Sequence, residues 1–93
     1  MAHTIEHKPE QNRFEILVDG TVAGHADYTV IDGGVRDFDH TVTDPEFQGQ
    51  GLAGKLVAAA LDATRADGIT IATSCSYVQA YVARHPEYQD LLA

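Results

Sequence analysis

The sequence predicts an α+β domain, a meander of antiparallel strands followed by one β-α-β crossover and a closing helix. Three observations carry this. Residues 13–44 alternate apolar and polar side chains and are broken by two glycine turns. The glycine-rich stretch "DPEFQGQGLAG" leads into the alanine-rich run "KLVAAALDATRA". After that run come a short β-branched segment, "ITIAT", and a second amphipathic segment stopped by Pro86.

In the first predicted strand Phe14, Ile16 and Val18 alternate with Glu15 and Leu17. Asp19-Gly20 supplies the two φ > 0 positions of a type I′ hairpin. The second strand runs over 21–31, with Gly24 marking a bulge. Asp32-Gly33-Gly34 turns the chain again. The third strand covers 35–42, and simple alternation puts Phe38, His40 and Val42 on one face and Asp37, Asp39 and Thr41 on the other. Asp44-Pro45 ends it. A helix over 51–67 presents Leu52, Leu56, Ala59, Ala60 and Ala63 on one face, and Gly68 stops it. A buried strand follows, then a helix over 76–84 with Val78, Tyr81 and Val82 inward. "HPEYQDLL" is expected to pack Tyr88 and Leu91 back onto the domain.

Length allows one small domain, here residues 1–93. A chain this short buries only about 60–65% of its unfolded surface. The formal charge of −8 disfavours phosphate backbones, so no nucleic-acid partner is expected. The same charge weakly favours a cationic acceptor. Cys75 is the one cysteine, which fits a reducing cytoplasm. "MAHTIEHKPEQNRF" has no apolar segment for a signal peptide, and the longest apolar run, 56–61, is far too short for a membrane span. The expected state is a monomer or weak homodimer.

Glycines at 49, 51 and 54 ahead of a helix fit three phosphate-binding patterns. A P-loop needs Ser or Thr after the lysine, and position 56 is Leu. A dinucleotide fingerprint needs a first β-α-β unit with a carboxylate about 20 residues on, at the end of its second strand, which here ends in Ala72-Thr73-Ser74-Cys75. The third pattern, Gln48-x-x-Gly51-x-Ala53, needs only backbone N–H groups at a helix N-terminus and a strand beside them. The plain alternative is a glycine-rich turn that merely starts a helix.

With that loop, the sequence resembles the GNAT acetyltransferase superfamily, whose diagnostic loop is [QR]-x-x-G-x-[GA]. It is similar, more narrowly, to the very small single-domain YjdJ-type members. "HTVTDPEFQGQGLAGKLVAAALDATRADG" and "SCSYVQAYVARHPEYQDLL" carry the resemblance, which spans nearly the whole chain. It implies acetyl-CoA or coenzyme A as cofactor. Backbone amides in the loop Gln48, Gly49, Gln50, Gly51, Leu52, Ala53, Gly54 and Lys55 would hold the pyrophosphate. Thr41, Val42 and Thr43 would pair with pantetheine, and Cys75 would lie near the thioester. The proton donor for the thiolate is open between Tyr77 and Tyr81. The resemblance also implies that the N-terminal strand and helices shaping the acceptor pocket are missing, leaving that site open or built by a partner.

Acetyl transfer to an amine needs a base, a polarised carbonyl and a proton for the thiolate. His40 is the candidate base; its plain alternative is a histidine packed on a sheet face. Cys75 is a candidate nucleophile, since a thiolate at a helix N-terminus is favoured, or else a thiol lining the channel. Arg84 and His85 are candidates for the 3′-phosphate or for capping the helix C-terminus. Lys55 reads as a solvated helix residue. His3, His7 and His25 show no ligand spacing, so no metal is expected. The function expected is N-acetyl transfer to an amine of unread identity. Its rivals are a CoA-binding module without turnover and a protein-interaction domain.

Overall fold

The computed structural model describes residues 2–93. Five strands make one mixed sheet in the order β1–β5: β1 (His3–Lys8), β2 (Arg13–Val18), β3 (Thr21–Ile31), β4 (Val35–Thr43) and β5 (Ile71–Thr73). The first four are antiparallel neighbours; β5 lies parallel to β4. Helix α1 (Leu52–Ala66) makes the crossover, and α2 (Ser76–Arg84) follows β5. A 3-10 segment, Pro86–Leu91, closes the chain, and Ala93 donates its N–H to Ile71.

The turn chemistry acts as expected. Asp19 and Gly20 have φ of 49° and 85°. Gly68 takes a left-handed φ past the end of α1 and donates to the Arg65 carbonyl. The expected bulge falls beside Gly24: Ile16 pairs with Gly24 and Leu17 with Val22, so Ala23 is the extra residue. Glycine is required there for a second reason. A Cβ on it would stand 2.7 Å from the Val42 carbonyl oxygen, so any side chain would push β4 away.

Both helices contribute to one core with Phe14, Ile16, Ala26, Tyr28 and Phe38 of the sheet. The inward face of α1 is Leu52, Leu56, Val57, Ala60, Leu61 and Thr64, rotated from the alanine-weighted face read from the sequence. Larger side chains reach the sheet, and Ala59 and Ala63 fall to the flank. Tyr88 and Leu91 are buried, as expected of the tail.

The sequence reading needs two further corrections. The first is β1, which it missed. The chain does supply an N-terminal strand, paired to β2 from His3↔Val18 to Lys8↔Arg13. In "HTIEHK" histidines stand where apolar residues would normally signal a strand. His7 nonetheless packs as one, its ring stacked 4.0 Å from that of Phe14. The second is the alternation along β4. Asp27 pairs with His40 while the next residue, Tyr28, pairs with Phe38, so Asp39 is an extra residue on β4. The pleat therefore resets. Thr41 shares the helix-covered face with Phe38, and His40 and Val42 turn to the helix-free face.

Candidate active site

The parallel ladder between β4 and β5 is short. It runs Arg36↔Ile71, Asp37↔Ala72 and Phe38↔Thr73, and the Cys75 N–H to the Phe38 carbonyl, 2.9 Å, is its last link. Beyond Phe38, β4 continues to Thr43 with no strand on that side among the described residues. The two strands splay, and β4 presents a free backbone edge.

The chain leaving β4 is shaped to meet that edge. Asp44 accepts the Glu46 N–H at 3.0 Å and caps the Pro45–Phe47 turn. The Gln48 side-chain amide donates to the Thr43 carbonyl at 3.4 Å, pinning the loop to the strand. Gly51 then takes φ +72°, a conformation that suits glycine, and opens α1 with no side-chain cap. The first N–H groups of a helix have no partner inside it. Here they stay free, and the positive end of the helix dipole faces the same space.

That space is a cleft of about 330 Å³. Thr41, Thr43, Gln48, Gly49, Gly51, Leu52, Ala53, Gly54 and Tyr77, all expected site residues, line it together with Phe47, which the sequence reading missed. An aromatic just ahead of the glycine loop was the available signal. Other expected residues stand outside the lining. Gln50 is exposed. Val42 is on the opposite face, although its backbone shares the free edge. Lys55 points its ammonium at His3 Nδ1, 3.3 Å away. Arg84 is exposed in the last turn of α2.

Cys75 sits where β5 hands over to α2, half-buried, with Sγ 3.5 Å from Thr41 Oγ1. Tyr77 forms a wall of the cleft; a Cβ on Gly54 would be 3.8 Å from its hydroxyl. One turn on, Tyr81 packs against His85, their rings 3.9 Å apart, and against Tyr88. Burial, then the charge of Glu87, raises the Tyr81 pKa and keeps its proton on. His85 Nδ1–H donates to the Tyr81 carbonyl at 2.8 Å, which caps the C-terminus of α2. His40 stands apart from all of these, exposed on the helix-free face beside His25, with ring centroids 6.4 Å apart.

Residues 13–91 match the family model of the GCN5-related N-acetyl-transferases, and the chain belongs to that family. A GCN5-like candidate N-acetyltransferase from Staphylococcus aureus superposes with a TM-score of 0.74 at 26% identity, covering 97% of this chain and 87% of that one. The ribosomal-protein-alanine N-acetyltransferase of Brucella melitensis biovar Abortus 2308 gives 0.58 at 18% identity, over 87% of this chain and 60% of that one. The aminoglycoside N-acetyltransferase AAC(6')-Iy, crystallised with CoA, gives 0.57 at 21% identity, over 77% and 63%. At those identities the last two share the fold, and this chain spans about three-fifths of their length. No curated protein sequence matches the chain.

Proposed function

We propose that residues 1–93 form one N-acetyltransferase domain that moves the acetyl group of acetyl-CoA to a primary amine. The observation that carries this is the splay of β4 from β5 opening onto the uncapped N-terminus of α1. An extended amide arm can pair with the free edge at Thr41, Val42 and Thr43 as an added strand. A pyrophosphate can take the backbone N–H groups between Gln48 and Lys55. AAC(6')-Iy, which shares the fold, was crystallised with CoA.

The roles follow from position. The amine attacks the thioester carbonyl, polarised by the unpaired N–H groups of β4 beyond Phe38. Tyr77 or Tyr81 supplies the proton for the thiolate, and the raised pKa of Tyr81 suits a group that must hold a proton until then. His40 is the base on the amine side. Cys75 lies beside Thr41 and takes the acetyl group covalently or lines the channel. The second reading is a CoA-binding module without turnover.

Melting temperature with acetyl-CoA, CoA, ATP and NAD in parallel tests the loop. A ligand at a hundredfold excess over Kd stabilises by about 2.7 kcal/mol. A rise with the two CoA species alone is expected, and it should be lost in Gly51→Glu. No rise with any of the four sinks the reading. Mass spectrometry after acetyl-CoA treatment decides the role of Cys75. One added acetyl group that vanishes in Cys75→Ala, together with lost turnover, marks a covalent intermediate; turnover that persists in Cys75→Ala excludes it.

A further inference from the structure

The parallel ladder between β4 and β5 stops while the chain is still extended. In a parallel pair, a residue facing the other strand offers its N–H and its carbonyl to the two residues that flank its partner. Arg36, opposite Ile71, does so: its N–H goes to the Thr70 carbonyl at 3.0 Å. Phe38, two residues on and opposite Thr73, faces the same way. In the regular pattern its carbonyl would take the Ser74 N–H. It takes the Cys75 N–H instead, at 2.9 Å. The onset of α2 is not the cause. That helix starts at Ser76, and Cys75 still has extended angles, φ −78° and ψ 126°.

The Ser74 N–H is engaged elsewhere. It donates to Asp37 Oδ1 at 2.9 Å, and the Ser74 hydroxyl donates to Asp37 Oδ2 at 2.7 Å. Asp37 stands on β4 opposite Ala72. One carboxylate of β4 therefore takes both donors of the residue that would carry the next link. Hydrogen bonds to an ionised group are roughly twice as strong as neutral ones, so the carboxylate outcompetes the Phe38 carbonyl. Cys75 moves up into the link at Phe38, and its Sγ comes to 3.5 Å from Oγ1 of Thr41, which lines the cleft. Asp39, the extra residue of β4, acts on the other edge of the same strand, where it resets the pleat against β3.

We propose that Asp37 is a positioning residue for the acetyl end of the cofactor: by holding Ser74 it ends the ladder at Phe38 and fixes Cys75 at the foot of the splay. What occupies that foot rests on the acetyl-transfer reading above; the clamp itself does not. Asp37 acts through Ser74 and Cys75, and its charge is dispensable. An asparagine keeps both bonds, its carbonyl oxygen accepting the Ser74 N–H and its amide donating to the Ser74 hydroxyl. A side chain without a polar group releases the Ser74 N–H to the Phe38 carbonyl. The ladder then gains a link, the foot narrows and Cys75 turns away from Thr41.

Hydrogen exchange without ligand reads the clamp. In Asp37→Ala the Cys75 amide should exchange at least about tenfold faster, while the Arg36 amide, one link back, stays within about twofold of the parent. Asp37→Asn should match the parent at both. Calorimetry with acetyl-CoA and with CoA, which differ only at the foot, reads the positioning. Asp37→Ala should lower the ratio of acetyl-CoA to CoA affinity about tenfold, the scale of one lost hydrogen bond, with CoA itself within about twofold. Asp37→Asn should keep the parent ratio. Equal weakening of both ligands would mean general damage and overturn the proposal. So would an unchanged ratio, unchanged Cys75 exchange in Asp37→Ala, or an Asp37→Asn protein that behaves like Asp37→Ala. A parent protein that binds neither ligand would sink the acetyl-transfer reading, and exchange alone would then decide whether Asp37 holds Cys75.

Discussion

His7 shows how single residues set conditions for this fold. Its ring lies on Phe14, and its Nε2 is 2.8 Å from the Tyr28 hydroxyl. Burial, then the nearby Arg36 guanidinium, lowers its pKa below 6.5. The folded state therefore binds fewer protons than the unfolded one around that pH. The stabilisation is fully present above 6.5 and is lost as pH falls through the lowered value. Urea unfolding at neutral and at acidic pH should show a smaller acid loss in His7→Phe than in the parent. Arg36 itself is 7% exposed, with its guanidinium 5.0 Å over the Tyr28 ring and bonded to Thr64 Oγ1 and Asp67 Oδ2. Asp67→Ala leaves that buried charge one partner short and should cost about 1–3 kcal/mol in chemical denaturation. Leu61, fully buried, should cost about 2–5 kcal/mol as Leu61→Ala.

At the scale of elements, two terminal segments hold the sandwich shut. The closing 3-10 segment is clamped to α1 by Arg65 on Asp90 and by the Tyr88 hydroxyl donating to Asp62 at 2.9 Å. Burial and that bond push the Tyr88 pKa to about 12. In an alkaline absorbance titration Tyr88 should ionise well after a free tyrosine, and Tyr88→Phe should remove that late step at a cost of about 1 kcal/mol. At the other end, β1 covers the edge of β2 and ties α1 through His3 and Lys55. Removing residues 1–8 bares an unpaired edge, and hydrogen exchange along β2 should speed up strongly while α2 stays protected.

For the molecule as a whole, a charge of −8 on 93 residues means self-repulsion that salt relieves. The melting temperature should rise between low salt and about 0.5 M salt, and affinity for any cationic acceptor should fall over the same range. No helix among the described residues is long and apolar enough to cross a membrane. Much of this architecture was legible because its signals are local. Asp19-Gly20, Gly68 and Pro86 act through their own backbone angles. The Gln48-to-Ala53 loop was legible as a glycine turn that opens a helix, because glycine spacing and a following apolar run suffice. β1 was illegible because histidines occupy two of its three inward positions, His3 and His7 beside Ile5, and only packing on Phe14 makes His7 behave as an apolar residue.

The sequence alone determined the order of the elements from β2 onward, the turns and the family, since each rests on residues within a few positions of one another. Which side chains meet was decided only by the tertiary structure. One extra residue at Asp39 reverses the pleat of β4, placing Thr41 in the cleft beside the N-terminus of α1 and His40 beside His25 on the far face. A bulge is a mismatch between two strands, so neither strand's sequence holds it alone. The same holds for the Asp37–Ser74 pair and for Phe47 in the cleft wall, whose roles come from what folding brings against them.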